Sequence, residues 1–231
     1  MARVGLRPSR LRYSGRICGD SRRDGLPGRP GSRASPGGAA AVPPRLYPPP
    51  VTIPFVALDF ETAHPRRDSA CAVALVKVAG GRIVSRETRL VRPPRRPFHY
   101  TSIHGITWSR VEEEPSFADL WPDLEPLLKG AAFLAAHNAP FDRSVLAACC
   151  RRARILPPEL PFLCTVQVAR RTWNIHPTRL PDVCRRLDIP LRHHEAGSDA
   201  EACARIVLAA AREVGWDAVT DSMARRLSPP A

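Results

Sequence analysis

The stretch Ile53-Pro54-Phe55-Val56-Ala57-Leu58-Asp59-Phe60-Glu61 is a short apolar run that ends in two acids. Apolar runs of this length read as buried strands. On a strand, residues i and i+2 share a face. Asp59 and Glu61 therefore project together, and Phe60 projects to the opposite side. Two carboxylates held side by side repel unless a cation lies between them. A hard divalent ion with oxygen ligands removes that conflict. Alone, a D-x-E is common and is more often a solvated acidic strand end than a metal site.

Outward from this strand the pattern continues as α/β. Cys71–Val78 is a second apolar strand, Gly80-Gly81 a turn, and Arg82–Val91 an alternating third strand, which together make a hairpin. Pro115–Leu128 carries Phe117, Leu120, Trp121, Leu124 and Leu128 at helical spacing. Ala131–Ala136 is a short buried strand and Phe141–Arg152 a helix. After the Pro157-Pro158 break, Thr165–Arg171 and Arg179–Leu187 read as helices. Asp199–Arg212 is the clearest helix, with Ser198 and Glu201 spaced as a capping box. Three strands followed by alternating helix and strand predict a single α/β domain with a mixed sheet flanked by helices.

The predicted boundaries are 1–50 for a disordered Arg/Pro/Gly-rich segment, 51–215 for the folded domain and 216–231 for a C-terminal tail. Residues 1–50 hold ten Arg and two Asp, a net of +8, leaving +5 of the chain's +13 for the remainder. Their Pro, Gly and Ser leave too little apolar surface to offset ordering entropy. A transit peptide would also be Arg-rich and acid-poor, but repeated Pro and Gly oppose the amphipathic helix it uses. A basic excess suits a polyanionic partner. Much of it sits in this segment, however, and only Lys77 and Lys129 are lysines, an Arg bias that reads as that of a GC-rich genome. Seven cysteines without a C-x-x-C pair exclude a zinc cluster of that type and a paired disulfide framework. Buried thiols in a reducing cytoplasm fit better. No apolar run approaches the length of a membrane span.

Three further places carry chemistry. Asp142 follows His137-Asn138-Ala139-Pro140-Phe141 in the first turn of its helix, where the helix dipole alone favours an acid and Asn138 suits the N-cap. Asp199 starts a later helix in the same way. His194 precedes it in a Gly-containing loop, and a histidine titrating near pH 6.5 can take a proton from water.

In this order, D-x-E on a first strand, Asp at a helix start and H-x-x-x-x-D at a later helix resemble the DEDDh (DnaQ-like) 3′→5′ exonuclease family. That family includes the proofreading epsilon subunit of bacterial DNA polymerase III and ribonuclease T. The resemblance spans about Ile53 to Ala210. It extends to Phe60-Glu61-Thr62, Ser102-Ile103-His104-Gly105-Ile106-Thr107, His137 to Asp142, and His193-His194 ahead of Asp199-Ala200. Glu195 stands where the tyrosine subclass has its Tyr. The resemblance implies a ribonuclease H-like fold and two divalent ions, Mg²⁺ or Mn²⁺. It implies that Asp59 bridges the ions, that Glu61 and Asp199 complete one site, that Asp142 helps hold the second, and that His194 is the general base. It also places the Ile103–Thr107 loop near the terminal nucleotide, where apolar side chains wedge or stack bases. Thr62, Ile103, His104 and Phe141 are the substrate-binding candidates, although Phe60 and Phe141 read first as core. Arg66 and Arg67 are candidate phosphate contacts.

The expected activity is removal of 3′-terminal nucleotides from single-stranded nucleic acid, DNA ahead of RNA, releasing nucleoside monophosphates. A subunit bound to a DNA polymerase, an RNA-processing exoribonuclease and a catalytically dead nucleic-acid-binding module are the alternatives. Gln167 is the only glutamine, so a clamp-binding motif built on Gln is not visible.

Overall fold

A computed structural model of the protein describes residues 52–224. The expected segment 1–50 lies outside the described residues. Five strands form one mixed sheet in the order β3-β2-β1-β4-β5: β1 Phe55–Thr62, β2 Ala70–Ala79, β3 Arg82–Leu90, β4 Leu134–Ala136 and β5 Phe162–Cys164. β1, β2 and β3 pair antiparallel, while β4 and β5 add to the other side of β1 in parallel. Gly80 and Gly81 both have positive φ, 58° and 72°, which closes the β2–β3 hairpin.

The helices are α1 Thr101–His104, α2 Trp108–Val111, α3 Phe117–Leu124, α4 Ala139–Ala153, α5 Thr165–Trp173, α6 Leu180–Leu187 and α7 Ala196–Ala224. They cover both faces of the sheet. β1 shows why: Val56, Leu58 and Phe60 pack into one apolar cluster with α3 and α4. Phe55 and Ala57 pack into another with α5, α6 and α7. Burying side chains such as Leu58 or Phe55 contributes roughly 1.5–3 kcal/mol each. Asp59 and Glu61 continue the Phe55–Ala57 row and so face α7.

Several expectations shift at their edges. The helix expected over Pro115–Leu128 begins after Ser116, whose hydroxyl accepts from Asp119 N–H (3.4 Å) while the Asp119 carboxylate accepts from Ser116 N–H (3.1 Å). Its last turn, Glu125–Leu128, tightens to a 3₁₀ helix, because Pro126 has no N–H to continue the α ladder. β5 has only three residues between Pro161 and Thr165, so its pairing to β4 leaves no periodic trace in the sequence. α7 starts at Ala196 rather than Asp199. The expected capping box is absent: the Ser198 hydroxyl accepts from Arg192 N–H (2.8 Å), and Glu201 pairs with Arg86 and Arg205. Charged partners hold that carboxylate more strongly than a backbone N–H would. Residues 216–224, assigned to the tail, are helical after a kink at Gly215 (φ 81°, ψ 160°). Val219 is buried, and Trp216 packs edge-on to Phe55, ring centroids 6.1 Å apart.

Candidate active site

The parallel pairing of β1 to β4 ends at Ala57. Beyond it Phe60 N–H has no strand partner on that side, and the Asp142 carboxylate accepts it at 3.1 Å. This bond ties the first turn of α4 to the end of β1 and holds Asp142 almost fully buried. Asn138 occupies the N-cap position as expected, but its side chain makes no cap bond. Its left-handed backbone, φ 62°, turns the chain from β4 into α4 instead. His137, just before Asn138, acts structurally. His137 Nε2 donates to Thr178 O (3.0 Å), and its Nδ1 therefore accepts from the Thr165 hydroxyl (2.8 Å). Burial pushes His137 down to about 4, and it stays neutral.

The first turn of α7 brings Asp199 to the same place. One carboxylate oxygen from each of Asp59, Glu61 and Asp199 lies within 4.8 Å of the others. Asp199 is oriented through Oδ2, which accepts from His193 Nδ1 (2.9 Å) and from His194 N–H (3.1 Å). Its other oxygen, Oδ1, is buried with no hydrogen-bond partner among the described residues. A lone buried carboxylate oxygen beside two further carboxylates is a donor set for a hard cation.

Electrostatics point the same way. Burial is the largest influence on all four acids and disfavours their charged forms. Neighbouring carboxylates add to it: Asp142, Asp199 and Glu61 raise Asp59 well above the usual range, and Asp199 with Asp142 helps push Glu61 up to about 8. Asp142 is raised too, although Phe60 N–H and Arg67 pull it back. Asp199 is raised by burial and partly offset by His193. A divalent ion supplies the charge that keeps such a cluster ionised.

His194 sits at the rim, exposed, in a left-handed backbone conformation (φ 68°). Its ring stacks on His193, centroids 3.8 Å apart. Burial and His193 lower its pKa from the ordinary value, while Asp199 pulls the other way. His193, which touches Asp199 directly, was not among the sequence candidates; the His193-His194 doublet was its only signal.

The substrate-binding candidates divide. Ile103 is a large apolar side chain left 49% exposed on α1. His104 is occupied within the fold: Ile106 N–H donates to its Nδ1 (3.0 Å), so Nε2 donates to Thr62 O (3.2 Å). That bond fastens the Ile103–Thr107 loop to the end of β1. Thr62 itself is buried. Phe141 is half-buried beneath Arg67, whose guanidinium carbon lies 4.4 Å from the ring centroid. Phe60 belongs to the core.

Comparison with known proteins adds three observations. The model of the exonuclease family RNase_T matches residues 56–207. The PolC-type DNA polymerase III of Thermotoga maritima is 32% identical over 158 residues, 67% of this chain but 12% of that protein. Exodeoxyribonuclease 10 of Escherichia coli (strain K12) is 32% identical over 158 residues, 63% of this chain and 64% of that one. The chain thus spans less than two thirds of either relative. Among solved structures, exonuclease X in complex with 5′ overhanging duplex DNA superposes with a TM-score of 0.60 at 25% identity, over 74% of this chain and 98% of that chain.

Proposed function

The chain belongs to the RNase_T exonuclease family, of the DEDDh (DnaQ-like) type, and on that premise we propose that it removes nucleotides from the 3′ ends of single-stranded nucleic acid, DNA in preference to RNA. It is a hydrolase of phosphodiester bonds. The observation that carries the metal-dependent chemistry is the convergence of Asp59, Glu61 and Asp199, with Asp199 Oδ1 unpaired among the described residues. The preference for DNA is supported by the exodeoxyribonuclease and the DNA-bound exonuclease that the chain resembles.

Asp59, Glu61 and Asp199 would hold one divalent ion, and Asp59 with Asp142 a second. Mg²⁺ or Mn²⁺ bound there would supply the charge that stabilises the attacking and leaving oxygens of an in-line displacement. The protein's own residues do the rest. Phe60 N–H and the first turn of α4 fix Asp142, and His193 with His194 N–H fixes Asp199. His194, neutral above its lowered pKa, takes the proton of the attacking water at a ring nitrogen. Ile103 stands exposed at the loop fastened to Thr62, placed to stack on the terminal base. The product is a nucleoside monophosphate. Six free cysteines among the described residues support a reducing, cytoplasmic setting. No described helix is long and apolar enough to cross a membrane.

Matched DNA and RNA oligomers with free and blocked 3′ ends test the reading. We expect monophosphates from free ends, faster from DNA, in a chelator-sensitive reaction. Cleavage of blocked strands, internal cuts or turnover in excess chelator would overturn it, and faster loss of RNA would make it an exoribonuclease. The polymerase named in the first relative favours a second reading, a subunit working beside a DNA polymerase. Co-purification with a polymerase from native extract would place it ahead of a stand-alone enzyme.

A further inference from the structure

The loop after β1 carries a charge arrangement that the chemistry above does not use. Asp68, half-buried, is surrounded by three arginines from three parts of the chain. Arg66 from its own loop approaches Oδ1 at 3.3 Å, Arg95 from the segment after β3 approaches Oδ2 at 3.1 Å, and Arg152 from α4 approaches Oδ2 at 3.4 Å. One carboxylate cannot neutralise three guanidiniums, and each guanidinium has five N–H donors of which Asp68 takes one or two. Arg152 and Arg92 also line a recess of about 210 Å³ whose walls include the buried Ala70, Val91 and Phe117. Asp68 lines the same recess.

Two observations extend the cluster. His64, only 5% exposed, has an Nε2 without a partner among the described residues. Its Nδ1 accepts from Arg66 N–H (3.3 Å), so Nε2 carries the proton: a buried donor in the same loop as Arg66 and Asp68 that lacks an acceptor among the described residues. At the other end, Arg67 lies over Phe141, next in sequence to Asp142. Arg66, Arg67 and Asp68 are consecutive, and Asp68 reaches Arg95 and Arg152, so the arginines extend from the first turn of α4, which carries Asp142, to its last turn, which carries Arg152.

We propose that the Asp68-centred arginine cluster is a phosphate-binding platform for the backbone of the substrate strand, upstream of the nucleotides at the carboxylates. It rests on the exonuclease reading of the neighbouring site. Asp68 holds the guanidiniums in place without cancelling their charge, so little ordering remains to be done when phosphates arrive. Pinning of the loop alone would need one ion pair, and would leave neither a surplus of cations nor an unpaired His64 donor.

The test separates long from short substrates in Arg95→Gln/Arg152→Gln. Affinity for a long single-stranded DNA is measured by anisotropy in chelator at several salt concentrations, and turnover is measured on the p-nitrophenyl ester of thymidine 5′-monophosphate. Expected are roughly ten-fold weaker binding of the long strand and a log–log salt slope reduced by about 1.4, with ester turnover unchanged. Unchanged affinity and slope would overturn the proposal. Ester turnover falling in parallel would also overturn it, because the arginines would then be shaping the cleft. If the double variant does not fold, Arg95→Gln alone reads the same quantities with a slope change of about 0.7. Should the wild type hydrolyse neither substrate, the exonuclease reading falls, and the binding measurement still decides this one.

Discussion

Asp59 makes the trade between stability and chemistry measurable at one residue. Burial first, and the neighbouring carboxylates after it, disfavour its charged form, so an uncharged isostere removes that cost in the ion-free protein. Asp59→Asn is expected to lose activity by a factor of about a thousand or more, and its melting temperature in chelator should rise by a few degrees. Calorimetry of both proteins in chelator checks this; a large drop would mean that Asp59 supports the fold instead. His194 gives the second case. Its ring is neutral above a lowered pKa, so wild-type activity should rise with pH early and then level. His194→Ala should cost about 10²–10⁴ near neutrality, with the gap narrowing at alkaline pH as hydroxide replaces the base. A gap that stays constant across the profile would give His194 another role. These residues were legible because their cues are local: i, i+2 alternation for Asp59 and Glu61, first helical turns for Asp142 and Asp199. His193 was not, because its bond to Asp199 exists only once the loop has turned back on α7.

At the scale of elements, the first turn of α7 decides where Asp199 sits, and Gly197 decides how closely that turn meets β3. A Cβ at Gly197 would lie 2.7 Å from the Thr88 hydroxyl, closer than packed atoms allow. Gly197→Ala gains helix propensity of about 1 kcal/mol but must displace the Thr88 side chain or the α7 backbone against it, a strain of about 1–3 kcal/mol. The shift is transmitted to Asp199, two residues on. We expect Gly197→Ala to lower both stability and activity, and Thr88→Ala in the same protein to restore most of each, because the next nearest contact is then 3.8 Å. A double-mutant cycle in denaturant and in turnover measures the coupling; additive effects would show that the approach is not tight. The sequence suggested a cap at Ser198 here because it carries local preference only. What set the true start at Ala196 was tertiary: Arg86 on β3 claims Glu201, and the chain before α7 claims the Ser198 hydroxyl. β5 was missed for the same kind of reason, since three residues become a strand by pairing with β4.

Over the whole molecule the acids couple folding to pH and to divalent ions. Glu61 is raised from 4.5 to about 8, and Asp59, Asp142 and Asp199 are raised as well. A carboxyl that holds its proton more tightly when folded contributes stability that is fully present below its unfolded pKa and is lost as pH rises through its folded pKa. The ion-free protein should therefore lose stability between about pH 4.5 and pH 8 on account of this site. A divalent ion reverses the dependence, because it binds the ionised carboxylates and displaces their protons. An ion present at a hundred times its dissociation constant adds about 2.7 kcal/mol, or roughly 5–10 °C for a chain of this size. Melting with Mg²⁺ or Mn²⁺ against chelator, from pH 5 to pH 9, should show this increment near pH 8 and almost none at pH 5. Using the difference removes acid-side contributions from ion pairs elsewhere, such as Glu201, held down at about 2 by Arg86 and Arg205. The same increment at every pH would place the ion on groups that do not titrate in this range, and no increment at pH 8 would remove the metal from the proposed chemistry.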